Sequence, residues 1–108
     1  MLKQDKYVIV YATFPSREII LKISKKLIQK KLVVCANIGE CKSIYTWNGR
    51  VYEENEFTAL LKTRADKWKA VKKFISKKHP YETPVILKLK IDNSNRGFGK
   101  WINESLSE

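Results

Sequence analysis

The chain has 108 residues, 44% of them hydrophobic, and a net charge of +11. That length makes one domain, 1–108, with enough apolar residues to need no disulfide or metal staple. No apolar run approaches the ~20 residues that cross a bilayer, and the opening Met1-Leu2-Lys3-Gln4-Asp5-Lys6 reads as no secretory signal.

Tyr7-Val8-Ile9-Val10-Tyr11-Ala12-Thr13 is a short, nearly all-apolar strand, suited to a central position covered on both faces. Pro15-Ser16 opens a helix with Ser16 as N-cap. Ile19, Ile20, Ile23, Leu27 and Ile28 form its apolar stripe, and it ends at Lys30-Lys31, where cations suit the carbonyl end.

A long hairpin follows, from Leu32 to Thr63. Its tip is Trp47-Asn48-Gly49-Arg50, because Asn-Gly accepts the positive φ that a two-residue turn requires. Gly39-Glu40 interrupts the incoming arm and predicts a bulge. At ~3.3 Å per residue the arms reach roughly 40–45 Å, longer than the mid-30s of Å expected across a compact chain of this size. One end must overhang and expose strand edge, which predicts an oligomer built through the hairpin. Cys35 and Cys41 share the incoming arm at a separation of roughly 20 Å, too far for a disulfide. Two unpaired cysteines suit a reducing compartment, so the expected location is the cytosol.

Thr63-Arg64-Ala65-Asp66 is a capping-box-like start to the next helix, whose stripe is Trp68, Val71, Phe74 and Ile75. Pro80 ends it at His79. Thr83 to Ile91 is a fourth strand, Asp92-Asn93-Ser94-Asn95 a loop, and Phe98, Trp101 and Ile102 mark a short last helix weakened by Gly97 and Gly99.

The order β-α-β-β-α-β plus a terminal helix predicts an α+β, ferredoxin-like split-βαβ sandwich with a long central hairpin. Right-handed crossovers put strands one and three in the middle and both main helices on one face. Ala12-Thr13, the hairpin tip and His79 to Glu82 then converge at one end of the sheet.

That convergence brings an imidazole, a phenol and a carboxylate together in His79-Pro80-Tyr81-Glu82-Thr83-Pro84. His79 reads equally as a ligand or as a helix C-cap, and the cysteines read first as small buried hydrophobes. No Ser/His/Asp or Cys/His nucleophile set, phosphate loop or dinucleotide turn is present, so no enzyme is expected. The lysines cluster on two predicted helices; a solvated helix surface takes precedence over a nucleic-acid patch, because charge alone is non-specific. Strand three carries Glu53, Glu54 and Glu56 where RNA-recognition modules carry stacking aromatics, which argues against RNA as a partner of the sheet.

From Tyr7 to Leu106 the chain resembles the CutA family of divalent-cation tolerance proteins. The matching pieces are Thr13-Phe14-Pro15, Cys35-Ala36-Asn37-Ile38, Tyr45-Thr46-Trp47-Asn48-Gly49, Glu54 to Lys62-Thr63, His79-Pro80-Tyr81-Glu82-Thr83-Pro84, and Phe98-x-x-Trp101 with Ser105-Leu106. The resemblance implies a ferredoxin-like subunit in a homotrimer, a role in tolerance to divalent metals, copper especially, and a relationship to PII-type trimers that bind small effectors in intersubunit clefts. Some bacterial members hold copper with residues that correspond to Ala12, Lys78 and His79, so one of three such positions keeps a ligating side chain here. The expected metal set is His79, Glu82, Glu54 and Cys35. The alternative is a small anionic effector held near Lys62, Tyr81, Trp47 and Trp101.

Overall fold

The computed structural model describes residues 6–107. Its elements are β1 (Tyr7–Phe14), α1 (Arg17–Gln29), β2 (Cys35–Trp47), β3 (Arg50–Arg64), α2 (Trp68–Lys78), β4 (Ile86–Lys90) and α3 (Arg96–Leu106), with a 3-10 turn at Ala65–Lys67 before α2. The strands form one four-stranded sheet in the order β2-β3-β1-β4, antiparallel at every junction. The first and third strands are central, as the split-βαβ plan requires.

Alternation along β1 sends Val8, Val10 and Ala12 into the core, where they meet Ile20, Ile23 and Leu27 of α1 and Val71 and Ile75 of α2. The other face of the sheet is covered in part by α3. Tyr7, pointing to that side, meets Phe98 edge-on at 5.8 Å, and Asn103 Nδ2 donates to its hydroxyl at 3.0 Å. A Cβ on Gly99 would stand 3.1 Å from the same hydroxyl, which is why a glycine serves inside this helix. The helix runs to eleven residues despite its two glycines because this docking, and the burial of Ile102 and Leu106, outweighs their low propensity.

Ser16 caps α1 as expected, its hydroxyl accepting from the Ile19 N–H at 3.2 Å. At the other end Lys31 takes φ 59°, and the N–H groups of Lys31 and Leu32 donate to Ile28 and Leu27 at 3.0 and 2.9 Å. This is a Schellman closure with lysine in the position usually held by glycine. Ile28 departs from the expected stripe: it is 44% exposed.

The hairpin turns on Asn48 (φ 52°) and Gly49 (φ 76°), the type I′ geometry. Pairing runs without interruption from Trp47–Arg50 to Cys35–Lys62, so the bulge expected at Gly39-Glu40 is absent. Gly39 has open space around it and sits in a regular strand. The molecule measures 47 × 27 × 21 Å, and its long axis meets the overhang that the arm length demanded.

Two further expectations are corrected. Thr63 does not cap α2: β3 runs on to Arg64, and the Thr63 hydroxyl donates to the Leu32 carbonyl at 2.6 Å. Asp66 instead accepts from Arg64 Nε and Nη2 at 3.1 and 3.3 Å. The fourth strand begins at Ile86, not Thr83, since Pro84 has no N–H to give a ladder.

Candidate functional site

The end of β1, the outer half of the hairpin and the loop after α2 enclose a cleft of about 1260 Å³. His79 braces the cleft from behind without lining it. The Pro80 ring stops α2, so His79 leaves the helix with extended backbone (φ −73°, ψ 136°) and turns its ring inward, only 8% exposed. The ring stacks on Phe14 at 4.7 Å, 20° from parallel. Its Nδ1 accepts from the Tyr81 N–H at 3.1 Å, and its Nε2 lies 2.7 Å from the Thr13 carbonyl oxygen. Nε2 therefore carries the proton and donates to that carbonyl. Both nitrogens are engaged within the chain, and they tie the loop to the end of β1.

The loop so fixed delivers Tyr81. Its hydroxyl donates to Glu56 Oε2 at 2.8 Å, while Ser43 Oγ donates to Glu56 Oε1 at 2.6 Å. Glu56, 7% exposed, has a donor on each carboxyl oxygen. Two residues along the same face of β3, Glu54 Oε1 accepts from the Tyr45 hydroxyl at 2.7 Å. Burial first, then the bond to Glu56, pushes the Tyr81 phenol well above its ordinary range. The bond to Glu54 is the leading cause that lifts Tyr45 from 10.0 to about 12.

Both shifts favour the neutral phenol in the folded state. Their contribution is complete below the unfolded value near 10 and is lost as pH rises through the folded values. Alkaline titration followed by tyrosinate absorbance should show a late component near pH 12 that disappears in Tyr45→Phe. An unchanged curve in that variant would rule out the Tyr45–Glu54 bond as its source.

Glu54, Glu56 and Glu82 line the cleft together with Trp47, Tyr11, Tyr45 and Tyr81, and no lysine, arginine or histidine is among the lining residues. An acidic, aromatic cleft in a chain of net charge +11 is an electrostatic exception. Of the residues singled out from sequence, Glu54, Glu82, Trp47 and Tyr81 meet here, and His79 stands directly behind. Cys35 does not join them: it pairs opposite Lys62, eight residues up β2 from Ser43, roughly 25 Å along the strand. Lys62 is in that distant row, and Trp101 lies on α3, 45% exposed, with its ring 6.2 Å from Phe98. Glu56, Tyr45 and Ser43 were missed. The signal for Glu56 was available, since i and i+2 on a strand share a face and place it beside Glu54. Among the described residues no group of three or more His, Cys, Asp or Glu side chains closes on one point as a metal cage.

A β2-β3-β1-β4 antiparallel sheet, with two helices on one face and an acidic cleft along the outer half of an overlong hairpin, defines a ferredoxin-like α+β protein. The chain belongs to the CutA family: the family model for CutA1 divalent ion tolerance protein matches residues 8–105. It is 40% identical over 97 residues to the divalent-cation tolerance protein CutA of Pyrococcus horikoshii, covering 90% of this chain and 95% of that one. The corresponding protein of Thermotoga maritima is 39% identical over 99 residues, covering 92% and 98%. Among solved structures, the periplasmic divalent cation tolerance protein CutA of Archaeoglobus fulgidus superposes with a TM-score of 0.91 at 35% identity, covering 94% of this chain and 99% of that one. These relatives are named for tolerance to divalent cations and not for a catalysed reaction. No helix among the described residues is long and apolar enough to cross a membrane.

Proposed function

We propose that this chain is a non-catalytic, self-associating protein of divalent-cation tolerance, and that it takes the cation at the acidic cleft. The observation that carries the reading is the lining: three glutamates and no basic side chain, in a molecule that is otherwise strongly basic. Glu54 and Glu82 supply the carboxylate oxygens. Glu56 and the two tyrosines hold the wall in place, and water or a second copy completes the coordination. Copper(II) is the first ion to test, because it heads the affinity order for divalent ions at oxygen and nitrogen donors. The same lining disfavours an anionic effector at this spot, and Lys62, in the distant row opposite Cys35, stands too far off to neutralise one.

A homotrimer built through the hairpin is part of the proposal. In support, the overhanging arm exposes Ile44, Val51 and Trp47 at 68, 72 and 56%, apolar surface that association would cover. A cytoplasmic location fits the two free thiols, Cys35 and Cys41.

The test is equilibrium dialysis of reduced protein against copper(II) and zinc(II). Glu54→Gln with Glu82→Gln should lower affinity at least tenfold while leaving the fold intact. Equal uptake by this double variant would place the cation elsewhere.

A further inference from the structure

Net charge is distributed very unevenly over this molecule. Residues 15–31 hold six basic side chains and one acidic, and residues 65–78 again hold six and one. The layer made by α1 and α2 thus carries a net charge of +10 out of the chain's +11. The sheet, hairpin and α3 together are nearly neutral. The glutamates that argue against RNA on the sheet are on the hairpin, away from the helix layer.

The layer is arranged, not merely rich in lysine. Lys22, Lys26 and Lys30 stand at i, i+4 spacing along α1, and Lys69, Lys73 and Lys77 do the same along α2. Each ladder steps ~6 Å per lysine. Like charges at this spacing repel and weaken a helix. None of these six lysines is in an ion pair: those among the described residues are Lys42–Glu53 and Arg64–Asp66, and Glu18 of α1, four residues before Lys22, is in neither.

Two half-buried aromatic rings lie between neighbouring elements of this layer, Phe74 linking α2 to the end of α1 and Trp68 linking α2 to β4. Lys30 of α1 and Lys78 of α2 lie over Phe74 at 5.8 and 5.9 Å. Lys72 of α2 and Lys88 of β4 lie over Trp68 at 5.4 and 5.8 Å. Each ring takes an ammonium group from each of two elements. Such a surface gains from a polyanion whose charges repeat along its length.

We propose that the α1–α2 face binds the phosphate backbone of nucleic acid without reading sequence. The rings lie beneath lysines, so bases have no free aromatic platform, and what the face offers is a grid of ammonium groups. An anionic bilayer fits less well. Interfacial helices insert exposed apolar side chains, and Ile28 is the single large hydrophobic exposed on α1 or α2. The face is distinct from the acidic cleft, so either proposal stands or falls without the other.

The experiment is fluorescence anisotropy with a labelled mixed-sequence DNA duplex across a salt series. Wild-type protein should bind with a dissociation constant between about 10⁻⁶ and 10⁻⁴ M at physiological salt, weakening linearly in log–log form. Neutralising one ladder on each helix (Lys22, Lys26, Lys30, Lys69, Lys73 and Lys77, each to Gln) should reduce affinity at least tenfold. It should also flatten the salt slope by ~0.9 for each phosphate no longer neutralised. Lys42→Gln, Arg50→Gln and Lys100→Gln, set against a helix-layer triple of Lys26→Gln, Lys30→Gln and Lys73→Gln, remove equal charge elsewhere and should leave affinity within twofold. Equal losses in the two triples would overturn the proposal, because net charge and not this face would then govern binding. Binding to phosphatidylserine vesicles but not to duplex would also overturn it, as would no binding at low salt.

Discussion

Replacing Phe14 with alanine is expected to cost about 3–5 kcal/mol, the range for emptying a buried phenylalanine site. Phe14 is 1% exposed at the end of β1, and its ring does two things. It fills the core beneath α1 and α2, and it is the surface on which His79 stacks. A domain of this size has ~5–15 kcal/mol in all, so the loss takes a large share of its stability. Phe14→Leu keeps most of the volume and should cost no more than ~1.5 kcal/mol. Urea unfolding at fixed protein concentration reads both values, the fixed concentration being needed because association adds to apparent stability. A loss below ~1 kcal/mol in the alanine variant would show that the ring is not the packing centre described here. The leucine variant isolates the second role. It should keep the fold while weakening the His79 stack, and the loop that presents Tyr81 to Glu56 should then exchange its Tyr81 amide proton faster.

Charging the overhanging hairpin should separate the subunits. Ile44 and Val51 are diagonal neighbours on one face of the β2–β3 arm, beyond the reach of α1 and α2, and are 68 and 72% exposed. Each is worth ~1.5–3 kcal/mol when covered. Ile44→Glu with Val51→Glu removes that gain and adds carboxylates that association would desolvate. The expected result is at least a hundredfold loss in association, seen by sedimentation as a shift from trimer to monomer, with helix and strand content unchanged. An unaltered sedimentation coefficient would show that these side chains stay in solvent in the assembly.

Much of the fold was legible because local chemistry dictated it. Asn48-Gly49 announced a turn that only positive φ could make, Ser16 announced a cap, and Pro80 announced the end of α2. Where local signals misled, a distant partner had taken the residue. Thr63 has the side chain of an N-cap, but the carbonyl of Leu32, brought alongside by the hairpin, claims its hydroxyl. Gly39 looked like a bulge, yet a glycine in an uncrowded strand bends nothing. His79 presents the same lesson at the site. Its type and position marked it as a candidate ligand, while the bond to Thr13, 66 residues earlier, depends on tertiary contact that no spacing encodes. The acidic character of the cleft was half visible: Glu54 and Glu82 were named and Glu56 follows from its i+2 place beside Glu54, but its bonds to Ser43 and Tyr81 needed the β2–β3 register and the returning loop.

The central claim is that a hairpin-built assembly holds divalent cations in its acidic clefts. Native mass spectrometry of the reduced protein, titrated with copper(II) and zinc(II), tests it most directly. The expected result is a trimer that gains up to three ions and loses them in the Glu54→Gln, Glu82→Gln variant. A monomer, or a trimer that stays empty across the titration, would contradict it.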